Sequence, residues 1–357
     1  MPAPESSLPY QTADVPGIGG CLRTTLEDFQ VEEIPAYLPC GEGDHVFAWI
    51  EKRGLTSAFL LGELAKALEI RDSDIGIAGM KDRYAVTRQM VSLPPPITPE
   101  AVLALEIKGV KILSAERHGN KLRTGHLKGN RFILRVRDLN CSVEDAVSRA
   151  TQVLDKLATV PGAPNWYGAQ RFGRMGDNPV VGKALVTGAE IKGRPPRGRK
   201  RRMYISAYQS LLFNRYLEDR MNDGLFGELV AGEVLQKRDS GGMFVSEDIG
   251  TDQERFDAGE LTLTGPMFGH KMKCPAEGSP AFEREAVHLK AEEIELQSFK
   301  PLGKLAMGTR RPLSVVLSES SVTPGDEYVE ICFDLPSGSY ATSIMREVIK
   351  GETNFPQ

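Results

Sequence analysis

The feature that most restricts this chain is a change of hydrophobic period, from two to about 3.6, at three widely separated places. "HVFAWIEKR" (45–53) alternates as a half-buried strand does, and "TSAFLLGELAKALEI" (56–70) then takes helical spacing, with Thr56 or Ser57 as N-cap. "RFILRVRDL" (131–139) sets Phe132, Leu134 and Val136 on one face and Ile133, Arg135 and Arg137 on the other. Ser142 with Asp145 then makes a capping-box signature for the helix "VEDAVSRATQVLDKLATV". Near the end, "EYVEICFDLP" (327–336) reads as a strand and "SGSYATSIMREVIK" as a helix capped by Ser337 or Ser339, with Gly351 as its stop. Each time, a strand leads into a helix.

Between these pairs, the breakers set the organisation. "VPGAPNWYGAQRFGRMGDNP" (160–179) is long enough to be a working loop. "GRPPRGRKRR" (193–202) is a candidate boundary, because prolines and like charges resist packing. Beyond it, "YISAYQSLLFNRYLEDRMNDG" (204–224) reads as an amphipathic helix stopped at Gly224, and the glycine-rich stretch that follows reads as a separate small lobe. No internal repeat is visible. A length of 357 residues exceeds a typical single domain, so two lobes, or one domain with a large insertion, are expected.

The 41% apolar and 26% charged content is that of an ordinary globular protein. The N-terminus shows no basic and apolar leader pattern, and no stretch reaches the ~18 apolar residues of a spanning helix. A cytoplasmic location is expected. Cys21, Cys40, Cys141, Cys274 and Cys332 are odd in number and far apart, which points to reduced thiols and away from a zinc site.

A net charge of -4 argues against a nucleic-acid partner until its distribution is considered. Residues 117–137 carry seven Lys and Arg and no acid, and residues 192–202 again carry seven and none. Acids gather elsewhere, as in "FEREAVHLKAEEIELQ" (282–297). Two unopposed basic tracts in an acidic chain imply a segregated surface that neutralises phosphates.

Familiar catalytic templates fail. "GDNPVVGKA" (176–184) has five residues between its glycines and Ala184 where a P-loop needs Ser or Thr. There is no zinc-deaminase signature, no GxSxG elbow and no GxGxxG after a strand. His45, His118, His126, His270 and His288 have no metal-ligand spacing. What remains is "AGMKDRYAVTRQMVSLP" (78–94), where one carboxylate, Asp82, stands between Lys81 and Arg83 with Arg88 close behind. Neighbouring cations favour an ionised carboxylate. Adjacent strand residues point oppositely, so the partner of Asp82 is expected to be distant in sequence.

"GMKDRYAVTRQ", "GNRFIL", "PNWYGAQRFG", "ISAYQSLLFNRYL" and "LPSGSYATSIMRE", in that order, together with "LEDFQVEEIPAYLPCGEGDH", resemble the TruD family of tRNA pseudouridine synthases over nearly the whole chain. The resemblance implies an α+β pseudouridine-synthase fold with a mixed, largely antiparallel sheet flanked by helices and interrupted by a smaller α/β insertion. Its segments would be a catalytic first part (1–190), the insertion domain (191–311) and a catalytic C-terminal part (312–357). It places the catalytic aspartate at Asp82, supported by Lys81, Arg23, Phe29, Asn165 and Tyr167. Arg23 stands where the family usually has lysine, and Tyr167 where it has phenylalanine. Tyr167 is thereby expected to stack on the target base, and Asn165 to hydrogen-bond near the catalytic loop. Implied too are tRNA as partner, position 13 of its D-arm as target, and no metal or other cofactor. Arg83, Arg88, Arg171, Arg174, Arg197, Arg199, Lys200 and Arg201 would contact RNA, with Arg171, Arg174 and the 192–202 tract lining a groove between lobes. An RNA chaperone without chemistry and a cofactor-using RNA methyltransferase are the rival readings. The first leaves Asp82 without a purpose, and the missing Gly-rich nucleotide loop weighs against the second.

Overall fold

The computed structural model describes residues 7–191 and 193–351, so Lys192 of the second basic tract and the first six residues lie outside the described residues. In chain order the elements begin with β1 (Phe29–Pro35), β2 (His45–Arg53), α1 (Ser57–Ala67), β3 (Gly76–Ile77), β4 (Val86–Leu93), α2 (Pro99–Leu103), β5 (Val110–His118), β6 (Leu127–Arg137) and α3 (Val143–Leu157). There follow β7 (Ala163–Pro164), α4 (Asn178–Thr187), α5 (Gly198–Asn222), β8 (Val234–Lys237), β9 (Met243–Val245), α6 (Ile249–Asp257), β10 (Leu261–Met267) and α7 (Pro280–Ala291). The chain closes with β11 (Thr309–Pro312), β12 (Ser314–Val315), β13 (Ser318–Pro324), β14 (Tyr328–Pro336) and α8 (Ala341–Ile349). Among the described residues no helix is long and apolar enough to cross a membrane.

The chain divides into two compact units, one of Val15–Asp155, Leu317–Ala341 and Val348–Gln357, the other of Met1–Asp14, Lys156–Val316 and Thr342–Glu347. The first is built on a sheet ordered β13-β14-β6-β1-β4-β2-β5, with β3 added beside β4. Every pairing in it is antiparallel except β1 with β4. This is the mixed, largely antiparallel sheet of the expected α+β class. Val46, Ala48 and Ile50 of β2 pack under Leu60 and Leu64 of α1, as the period change at residues 53–56 predicts. Thr56 caps α1 by accepting from the Phe59 N–H.

That one parallel pairing decides where the chemistry can sit. Parallel strands start at the same edge, so the segments that precede them emerge together. Gln30 pairs with Val86, which brings residues 23–28, ahead of β1, beside residues 78–85, ahead of β4.

The second unit holds a four-stranded antiparallel sheet, β11-β10-β8-β9, and the small β7–β12 pair. Its centre is α5, and here the structure corrects two expectations. The helix starts at Gly198, inside the basic tract, so only the prolines at 195 and 196 act as breakers there. Nor is it an amphipathic surface helix. Ile205, Tyr208 and Leu212 enter one apolar cluster while Phe213, Tyr216 and Leu217 enter another, so apolar groups surround it as in a buried central helix. α4 lies close against it at Gly182, where an added Cβ would stand 2.1 Å from the Tyr204 carbonyl oxygen. α4 and the 160–179 loop pack with α5 in the same compact unit.

Candidate active site

Asp82 lies on the irregular stretch between β3 and β4, not on a strand. Its carboxylate is 54% exposed and accepts a hydrogen bond from Arg23 Nη2 at 3.1 Å. The Arg23 side chain is largely buried, with its guanidinium 3.9 Å above the Phe29 ring. Burial pulls that guanidinium below its ordinary pKa, and Asp82 draws it back up. Arg23 also has φ 63°, a left-handed backbone that costs a bulky residue roughly 1–3 kcal/mol. Phe29 is buried and meets Phe132 edge-on at 6.4 Å, so it is core that supports Arg23 from below.

The Lys81 side chain pairs elsewhere. Its ammonium turns inward, 3.1 Å from Glu33 Oε2, and donates to Asn130 Oδ1. Glu33 is buried, and burial pushes its carboxyl up while Lys81 opposes the shift. The backbone of Lys81 is pinned as well, its N–H donating to Ser57 Oγ at 2.8 Å. Thus the basic island of the sequence separates in space. Arg88 pairs with Glu51 at 2.9 Å and Glu32 at 3.3 Å and is 40% exposed. Arg83 is exposed and lies over the exposed Tyr84 ring at 5.3 Å.

Asn165 and Tyr167 belong to the other unit. Asn165 is buried; its Nδ2 donates to the Pro312 carbonyl at 3.0 Å, its N–H to the Leu313 carbonyl at 2.9 Å, and its Oδ1 accepts from Arg311. These bonds tie the β7 segment to β11 and β12. Tyr167 is only 8% exposed. Arg311 covers its ring at 4.1 Å, Phe213 meets it edge-on at 5.6 Å, and Asn214 bonds its N–H and C=O at 3.0 and 2.8 Å. The ring is thereby enclosed by groups of its own unit.

Of the remaining cations, Arg171 is drawn to α5, donating to Ser206 and, at 3.1 Å, to Ser210. Arg201 is half-buried, while Arg174, Arg197, Arg199 and Lys200 are exposed. Arg199, Lys200 and Arg201 occupy the first turn of α5, where the helix dipole is already positive and cations are unfavourable. Such a turn gains from an anion set against it.

Asn130 and Phe132 were within reach of sequence reasoning. They are two apart on β6 and so share the face already assigned to Phe132, Leu134 and Val136. Glu33 shares a face with Phe29 and Val31 in the same way, and pairs with Asn130 across the sheet. Lys52 shows the same kind of signal, because it stands where the β2 alternation calls for an apolar residue.

The whole chain can be placed among known proteins. The model of the family described as tRNA pseudouridine synthase D (TruD) matches residues 6–192 and 197–348. The chain is 46% identical over 355 residues to the tRNA pseudouridine synthase D of Anaeromyxobacter dehalogenans strain 2CP-1, covering 99% of each chain. It is 42% identical over 347 residues to that of Thermus thermophilus, covering 96% of this chain and 92% of the other. Its fold is similar to the crystal structure of a Methanosarcina mazei chain described as tRNA pseudouridine synthase D (TruD), with a TM-score of 0.79 at 24% identity over 98% of this chain and 99% of that one. With a family match from end to end and relatives that share its full length, the chain belongs to the tRNA pseudouridine synthase D (TruD) family of enzymes.

Proposed function

We propose that this chain converts the uridine at position 13 of the tRNA D-arm to pseudouridine, with Asp82 as the catalytic carboxylate and without metal or other cofactor. The observation that carries this reading is the asymmetry of the Arg23–Asp82 pair: a largely buried guanidinium holds a carboxylate that is open to a ligand. The reaction breaks the N1–C1′ glycosidic bond, turns the freed uracil and joins C5 to C1′, and the proton leaving C5 balances the one gained at N1. Asp82 serves as a nucleophile toward sugar or base, or as the base that takes the ribose C2′ proton. Both routes use the carboxylate that Arg23 Nη2 holds by its hydrogen bond.

The target nucleotide must leave its helical stack, at a cost of a few (~2–4) kcal/mol. Phosphate contacts help to offset that cost, and the exposed Arg83, Arg174, Arg197, Arg199 and Lys200 are the cations we assign to them. We further take 191–311 as an insertion into a catalytic domain formed by 1–190 and 312–357. In support, β14 pairs with β6 along its whole length. Unpaired cysteines among the described residues fit work in the cytoplasm.

The test is pseudouridine in bulk tRNA treated with wild type and with Asp82→Asn in EDTA, located by carbodiimide primer extension. Wild type is expected to modify position 13, while the variant binds tRNA and leaves no pseudouridine above background. Modification by Asp82→Asn would make the carboxylate structural. Binding without modification by either protein would favour an RNA chaperone.

A further inference from the structure

Lys52 is a charged residue in an apolar slot. It ends the row Val46, Ala48, Ile50 on β2 and is 0% exposed. Its ammonium donates to two backbone carbonyls, Leu55 at 2.8 Å and Asp82 at 2.7 Å. Burial brings its pKa down to about 8, against a smaller upward pull from Asp82. Two neutral carbonyls are weak compensation for a buried charge, and an apolar side chain would fill the slot without that cost.

What the lysine secures is the backbone of Asp82. The loop there is irregular, so no ladder of strand hydrogen bonds fixes the direction of its side chain. Ser57 holds the peptide of Lys81, Glu33 and Asn130 hold the Lys81 ammonium, and Lys52 holds the carbonyl of Asp82 itself. A carboxylate that must meet one sugar or base atom tolerates little rotation about its own Cα.

We propose that Lys52 is a positioning residue for the reaction, its buried ammonium clamping the Asp82 carbonyl so that the carboxylate is presented in one direction. This rests on the reading of Asp82 as the catalytic group. The charged groups facing Lys52 are Asp82 and Lys81 on the loop. Its register partners, Thr87 on β4 and Val110 on β5, are uncharged, and Ser57 lies at the start of α1.

The experiment is steady-state kinetics on full-length tRNA with wild type, Lys52→Met, Lys52→Gln and Lys52→Arg, with thermal unfolding of each. Lys52→Met is expected to lower kcat about 30-fold, the scale of a lost hydrogen bond from a charged donor, with KM changed less than about threefold. Lys52→Gln keeps an N–H donor and recovers part of the loss. The wild-type kcat is expected to fall above a pH of about 8, as the ammonium loses its proton. That limb disappears in Lys52→Gln and moves upward in Lys52→Arg, whose guanidinium stays charged. If Lys52→Met does not fold, the Gln and Arg profiles decide.

Wild-type kcat in Lys52→Met overturns the proposal, as does an unchanged alkaline limb in Lys52→Gln. Either result leaves the Asp82 reading standing as long as wild type forms pseudouridine. A wild type that modifies no tRNA overturns both.

Discussion

Two arginine–carboxylate pairs, one in each compact unit, use the same chemistry to opposite ends. Arg23–Asp82 is 3.1 Å long, with its arginine 9% and its aspartate 54% exposed. Arg310–Glu285 is 2.7 Å long, with its partners 2% and 6% exposed. Arg310 also donates to Thr264 Oγ1 at 3.1 Å and to the Thr264 carbonyl at 2.7 Å, so its donors are used within the unit. The comparison teaches that ion pairing alone does not mark a site. What sets the Arg23–Asp82 pair apart is a carboxylate held from one side and left open on the other.

The comparison breaks most visibly at the buried pair. Arg310→Met strands Glu285 and is expected to cost about 3–5 kcal/mol at pH 8 by urea unfolding. Burial already pushes the Glu285 carboxyl up to about 7, against the pull of Arg310. Without Arg310 its folded value rises further, well above its unfolded one. The neutral acid therefore regains stability as pH falls, and the cost of the substitution shrinks toward pH 5. An equal loss at both pH values would show that packing, not charge, holds this region.

A smaller effect, on activity alone, is expected at the open pair. Arg23→Ala should lower kcat roughly 10- to 100-fold, the scale of a hydrogen bond to a charged group. Arg23→Lys, which restores a cation, should recover most of that. Equal kcat for the two variants would mean that the charge of Arg23 does not act on the reaction. The smallest effect is on stability: Asp82→Asn should change unfolding free energy by less than about 1 kcal/mol, because a half-exposed ion pair contributes little. A larger loss would place Asp82 in the same structural class as Glu285.

Much of this was legible in the chain. All three changes of hydrophobic period fall where strands β2, β6 and β14 give way to helices α1, α3 and α8. Arg23, a supporting residue by resemblance, stands within hydrogen-bond reach of Asp82. Charge assignments were less legible. Lys81 and Arg88 look like neighbours of Asp82 along the chain, yet one turns to Glu33 and Asn130 and the other to Glu32 and Glu51. Each carboxylate lies on another strand, and sequence spacing carries no information about cross-strand register. Nor does spacing show that Arg311 of β11 meets both Asn165 and Tyr167, or that Phe213 of α5 meets Tyr167.

The sequence by itself determined the alternation that makes β2, β6 and β14, the caps Thr56 and Ser142 that start α1 and α3, and the placing of one carboxylate among cations. Those are local matters, set by periods of 2 and 3.6 and by side chains a few residues apart. Only the tertiary structure decided which cation serves that carboxylate. The parallel pairing of β1 with β4 brings two segments 59 residues apart to one edge of the sheet, and burial there assigns Arg23 to the side chain of Asp82 and Lys52 to its backbone.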